Sequence, residues 1–302
     1  MRIRTGPSGV HLFDRTTGLN ILLDEVQVPA NAWALAPRQV SISLTNACNL
    51  TCPYCYAPKN QAVLDFDSVT GWLLELDSSG CLGIGFGGGE PTLYSRLAEL
   101  CCFATRRTSL AVTMTTHAHH LNDSLIEALT GSVNFIRVSM DGIGNTYEEL
   151  RGRSFESFLT RIRALRDWVP FGINYVVNSQ TLPDLDAATH LASELGAVEF
   201  LLLPEQPVRG IRGIDNHTAE ALRQWVVAYQ GKVPLSVSEA GADGLPTCNP
   251  LGLETGLRSF AHIDASGVIK RTSYDSFGVP VGSEGVMIAL QTLAALESEG
   301  QA

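Results

Sequence analysis

Cys48, Cys52 and Cys55 stand in Thr45-Asn-Ala-Cys-Asn-Leu-Thr-Cys-Pro-Tyr-Cys-Tyr56, directly after the apolar, strand-like run Val40-Ser-Ile-Ser-Leu44. Thiols at C-x3-C-x2-C spacing suit metal ligation, but three is the wrong number for a closed site. Structural zinc takes four ligands, and a four-iron cluster held wholly by protein takes four cysteines. Three cysteines leave one iron of a [4Fe-4S] cluster without a protein ligand, where a small molecule can bind and be reduced. The competing readings are a zinc knuckle completed by a distant Cys81 or Cys248, and three unconnected thiols.

Two further motifs follow. In Gly87-Gly-Gly-Glu-Pro-Thr92, glycines allow close backbone approach to a ligand and positive φ; taken alone, the run reads as a turn that caps the next helix. Ser139-Met-Asp-Gly142 offers a hydroxyl and a carboxylate, or a type I turn at Asp141-Gly142. Arg151 in Glu149-Leu-Arg-Gly-Arg153 carries a planar fork suited to a carboxylate, or is a surface arginine.

With an aromatic residue, Tyr54, before the last cysteine, the three motifs in this order resemble the radical S-adenosylmethionine (SAM) enzymes over roughly residues 38 to 240. The resemblance implies one [4Fe-4S] cluster on Cys48, Cys52 and Cys55, with the amine and carboxylate of SAM chelating the fourth iron. It assigns Gly88, Gly89 and Glu90 to the methionyl ammonium. Ser139 and Asp141 go to the ribose hydroxyls or the methionyl carboxylate, and Arg151 to that carboxylate. Tyr54, Asn178 and Leu203 are expected along the adenosine. The implied first step is reductive SAM cleavage to a 5′-deoxyadenosyl radical that abstracts hydrogen, fed by a donor such as flavodoxin or ferredoxin.

The motifs look most like the peptide- and protein-modifying branch, whose SPASM or twitch extension carries auxiliary clusters. His262-Ile-Asp-Ala-Ser-Gly-Val-Ile-Lys270 has that extension's outline without its cysteines. Cys248 alone remains after the barrel, so a single cluster is expected. The substrate reads as a peptide or a small polar metabolite. Residues 1–37 are too short for a peptide-recognition domain, so a separate recognition protein or a small-molecule substrate stays open. A second enzyme reading is a radical epimerase or dehydrogenase in which Cys248 or Tyr274 completes the radical step. A reading from another class is a SAM-binding iron–sulfur regulatory or scaffold protein. His117, His119 and His120 are expected at substrate or adenosine rather than at a metal, and Cys81, Cys101 and Cys102 in the core.

The elements that must position these residues alternate. Strands are expected at Val40–Leu44, Leu82–Phe86, Leu110–Met114, Phe135–Val138, Gly172–Val177 and Glu199–Leu203. Helices are expected near 67–78, 95–106, 122–130, 155–168, 183–195 and 218–230, with start signals at Asn122, Ser154 and Asp184. Six βα units give an α/β fold, a partial (β/α)6 TIM-like barrel with each motif at the C-terminal end of a strand. A hairpin of His11–Asp14 and Leu19–Asp24 within residues 1–37 precedes the core at 38–240. A small α+β extension follows at 241–302, with a hairpin turning at 265–267 and a helix from Gly285 to Leu296.

Of the 302 residues, 45% are hydrophobic and 17% charged, which predicts a sizeable core rather than disorder. A net charge of −10 argues against nucleic acid or an anionic membrane as partner. Seven cysteines, a start lacking the apolar segment of an export signal, and no apolar stretch of membrane-spanning length point to a reducing cytoplasm.

Overall fold

An antiparallel meander of β1 (Arg2–Gly6), β2 (Gly9–Phe13) and β3 (Asn20–Leu23) precedes the main sheet. Then follow β4 (Gln39–Thr45), α1 (Phe66–Ser78), β5 (Gly83–Gly88), α2 (Leu97–Arg107), β6 (Ala111–Thr116), α3 (Asp123–Leu129) and β7 (Phe135–Ser139). The chain continues through α4 (Gly144–Arg151), α5 (Phe155–Arg166), β8 (Phe171–Val177), α6 (Leu185–Leu195), β9 (Glu199–Pro204), α7 (Asn216–Ala228) and β10 (Leu235–Val237). It ends with β11 (Phe260–Ile263), β12 (Val268–Lys270), β13 (Val279–Pro280) and α8 (Val286–Gly300). The structure, a computed structural model, describes residues 1–208, 210–242, 244–245 and 251–300; Cys248 lies outside the described residues.

Ten strands form one sheet in the order β10-β9-β8-β7-β6-β5-β4-β11-β12-β13, parallel from β10 through β11 and antiparallel beyond. With its helices this is the partial barrel expected, with two parallel strands more than the six predicted. β10 is only three residues long, and β11 aligns beside β4 with His262 opposite Ser41. The segment after residue 240 therefore extends the barrel sheet itself, and α8 packs on α1.

Side-chain alternation sets what each face does. Val40, Ile42 and Leu44 of β4, Ile84 and Phe86 of β5, and Val112 and Met114 of β6 are buried in the core that the helices cover. Their alternate neighbours point into the barrel, as a period of two requires. Helix starts obey their signals: Asn122 accepts from Leu125 N and Ser154 from Ser157 N, and Gly196 ends α6 at φ 85°. Asp184 is different. It makes no side-chain cap and instead accepts the Ile143 amide at 3.1 Å, holding the entry to α4. Helix α4 escaped the pattern because only Tyr147 and Leu150 of its eight residues are buried.

The expected N-terminal hairpin is a three-stranded meander. Strand β1 hides its alternation because Arg4 and Gly6 face inward while Ile3 is exposed. Arg4 donates to the carbonyls of Ala36 (3.0 Å), Gly80 (2.8 Å) and Arg258 (3.3 Å), and lies 3.4 Å from the buried Glu254 carboxylate. Arg38 reaches the same Glu254 oxygen at 3.4 Å. Burial lowers the Arg4 pKa, opposed by Glu254. This knot ties the meander, the end of α1 and the loop before β11 together. Arg4→Met removes one partner of a buried pair and should lower stability by about 3 kcal/mol, seen as a reduced urea midpoint. Arg163→Ala, which loses only the exposed pair with Glu156, should stay within about 0.5 kcal/mol.

Candidate active site

A closed TIM barrel fills its interior with branched side chains. Here the inward positions include Ser41, Ser43, Gly85, Gly87, Thr113 and Thr115, which are too small to meet, and a cavity of about 740 Å³ remains. That volume lies in the range of small-molecule sites. Cys48, Cys52 and Cys55 all border it, with Gly88, Gly89, Glu90, Ser139, Arg151, Leu203 and Tyr274.

The cysteine loop has no regular structure of its own and is held at its base and both flanks. Asn46 N bonds Ala62 O at 2.9 Å and Leu64 N bonds Leu44 O at 2.9 Å, closing the loop on itself. Gly89 N reaches Thr45 O at 2.7 Å, and Glu90 N reaches Ala47 O at 2.9 Å. A Cβ at Gly88, whose φ is +127°, would strike Thr45 O, and one at Gly89 would strike the Asn46 and Ala47 carbonyls. The close approach that these glycines permit is thus to the cysteine loop itself. Gly87 differs, with nothing within 4 Å of where its Cβ would stand.

Glu90 is buried and almost wholly engaged. Its Oε1 accepts from Thr92 N (3.1 Å), Thr92 Oγ1 (2.7 Å) and Thr116 Oγ1 (2.6 Å), while Oε2 accepts from His117 N at 3.0 Å. On the opposite flank the Tyr54 hydroxyl donates to Asp141 Oδ2 at 2.6 Å, Arg151 pairs with the same oxygen, and Val176 N donates to Oδ1 at 2.6 Å. Burial works against the Arg151 charge, but Asp141, Tyr54, Cys52 and Tyr147 together outweigh it and raise its pKa. Arg151 Nη1 also lies 3.5 Å from Cys52 Sγ, and Lys59 Nζ lies 3.5 Å from Cys55 Sγ. Burial raises the Cys48 and Cys52 thiols, opposed by the Leu50 amide and by Arg151 respectively.

Two expected contact residues stand elsewhere. Asp141 is fully buried and does not border the cavity; its carboxylate is taken by Tyr54, Arg151 and Val176. Asn178 also lies off the wall. Its Oδ1 accepts from Gln180 N and Thr181 N, and its Nδ2 holds the cavity residue Glu205 at 2.7 Å. Of the histidines, His117 borders the cavity, whereas His119 bonds the Tyr147 hydroxyl at 2.9 Å. Burial lowers His117 to about 3 and His119 to about 4, so both are neutral at ordinary pH. Cys81 and Cys101 pack in the core, as expected, and neither borders the cavity.

His262 is a wall residue that sequence reasoning missed. Its Nδ1 lies 2.6 Å from Ser41 Oγ and its ring is edge-on to Tyr56, against which Tyr274 also packs. The signal available was its place in alternation with Phe260, another cavity residue.

The residues fit the implied cofactors on three observations. The three thiols of Cys48, Cys52 and Cys55 border one cavity, as a multi-iron cluster needs. Arg151 Nε is buried without a partner beside Cys52. Gly87 leaves open the volume that a side chain would take.

Residues 42–191 match the family model described as the Radical SAM superfamily. Among curated relatives, the chain is 29% identical to the sporulation killing factor maturation protein SkfB of Bacillus subtilis, over 59% of this chain and 45% of that protein. It is 32% identical to the AdoMet-dependent heme synthase of Methanosarcina barkeri, over 57% and 53%. The chain thus spans about half the length of these curated relatives. Among solved structures, Streptococcus suis SuiB superposes with a TM-score of 0.70 at 16% identity, covering 89% of this chain and 81% of SuiB; that likeness is one of fold.

Gly88→Ala should lose about 1–3 kcal/mol, from positive φ and backbone collision, whereas Gly87→Ala should keep wild-type stability within about 0.5 kcal/mol; thermal unfolding of both variants checks the contrast. Burial holds His262 neutral, lowering its pKa to about 4. The unfolded chain protonates near 6.5, so this contribution is complete above that pH and declines as pH falls toward 4, by about 3 kcal/mol. Urea midpoints at neutral and acid pH should show that slope reduced in His262→Asn.

Proposed function

Because the chain belongs to the radical SAM superfamily of enzymes, we propose that its cavity holds one [4Fe-4S] cluster with SAM and acts on a peptide side chain or a small polar metabolite. Once bound, the pair supplies reductive cleavage of SAM to a 5′-deoxyadenosyl radical, which takes hydrogen from an unactivated C–H bond. The observation that carries this reading is the convergence of three thiols on one cavity.

Cys48, Cys52 and Cys55 hold the cluster. Arg151, through its unpartnered Nε, and the backbone at Gly87 to Gly89 receive the methionyl end, with Ser139, Tyr54 and Leu203 along the rest. Glu90 and Asp141 keep the cysteine loop in place. A cavity of about 740 Å³ suits one drug-sized ligand with a residue-sized space beside it, which favours a single side chain or small metabolite over a macrocycle. SuiB, whose fold this chain shares, has been solved bound to its precursor peptide SuiA, so a peptide is the first substrate to try. An electron donor such as flavodoxin or ferredoxin completes the proposal, and a peptide substrate adds a separate recognition protein. No helix among the described residues is long and apolar enough to cross a membrane.

A second reading has Tyr274 returning a hydrogen atom to a substrate radical, as an epimerase requires. Its place on the cavity wall beside Tyr56 favours it, with Cys248 the other candidate. Tyr274→Phe should then stall turnover and leave SAM cleavage intact.

Anaerobically reconstituted protein should carry about four irons per chain and release 5′-deoxyadenosine with dithionite and SAM, and Cys52→Ala should abolish both. Fully loaded protein that releases none would favour a SAM-binding scaffold, and about eight irons per chain would overturn the single cluster.

A further inference from the structure

His117 follows directly on β6, and its two ring nitrogens have different partners. Nδ1 accepts the His119 amide at 3.1 Å. In the neutral ring the proton therefore sits on Nε2, which must donate. Its acceptors are Asn49 Oδ1 at 2.9 Å and Glu90 Oε2 at 3.3 Å. Asn49 lies between Cys48 and Cys52, and Glu90 ends the Gly-Gly-Gly-Glu motif. One buried N–H thus bridges the first half of the cysteine loop to the element that supports it.

We infer that His117 is a positioning residue: its Nε2–H fixes Asn49 over Glu90 and so sets where Cys48 and Cys52 stand. The inference rests on the reading that these cysteines hold a cluster. The opposite flank is held by Tyr54 and Arg151 on Asp141; on this flank Glu90 N bonds Ala47 O at 2.9 Å and Arg153 donates to Asn49 O at 3.2 Å, which leaves the Asn49 side chain to His117. Partners of this kind, one bond removed from metal ligands, typically change metal retention by about 10–100-fold when removed.

Two substitutions separate this role from a merely local one. In His117→Gln the amide nitrogen stands near the Nε2 position and keeps the donor to Asn49. In His117→Asn the side-chain carbonyl stands near Nδ1 and keeps only the turn to His119. Each variant is purified anaerobically with its cluster; iron release to a chelator and the EPR spectrum of the reduced cluster are recorded. The expected result is iron release at least about tenfold faster, with an altered EPR signal, for His117→Asn, and near wild-type behaviour for His117→Gln. The reverse order, equal loss in both, or no change in either overturns the inference. Should His117→Asn fail to fold, Asn49→Ala removes the other end of the same bond and carries the same expectation. Where both fold, combining them should add nothing to either alone. A colourless wild type would remove the cluster reading and the inference with it. A coloured wild type whose variants all behave alike removes the inference only.

Discussion

Two buried carboxylates hold the site together. A carboxylate out of water is tolerable only when its lone pairs are filled by donors. Glu90 is filled by Thr92, Thr116 and His117, and Asp141 by Tyr54, Arg151 and Val176. These donors come from the cysteine loop, from α4, from β8 and from the ends of β5 and β6. A loop with no structure of its own thereby inherits its shape from the barrel around it. Of these two acids Glu90 borders the cavity and Asp141 lies behind its wall.

The second constraint is volume. Serine, glycine and threonine at the inward positions keep the lumen open, and the apolar partners on the other face of each strand supply the core. Stability and binding are divided between alternate residues of the same strands. Enlarging an inward residue trades binding space for packing, and shrinking an outward one opens a void where the helices pack.

Much of this was readable beforehand, for physical reasons that differ by element. The six central strands are long, apolar and separated by amphipathic helices, so periodicity marks them. The cysteines, glycines and Arg151 carry their chemistry in residue type and spacing. What escaped depended on contacts made at long range. β1 buries an arginine because Glu254 and three carbonyls await it. α4 is polar because most of it faces solvent. β10 is too short to show a period, and β11 offers only Phe260 and His262 in alternation. Asp141 and Asn178 stand off the cavity with their polar atoms held by protein partners, which no spacing reveals, and His262 joins the wall only because β11 lies beside β4.

That last pairing has a consequence for how the protein is made. The strand that flanks the cysteine loop waits for a neighbour encoded about 200 residues later, roughly 10–40 s of synthesis on the ribosome. During that interval the far edge of β4 offers unpaired amides and carbonyls, a surface prone to wrong association. The thiols of Cys48, Cys52 and Cys55 are made before the strand that completes the wall beside them, so in the nascent chain they lack that cover.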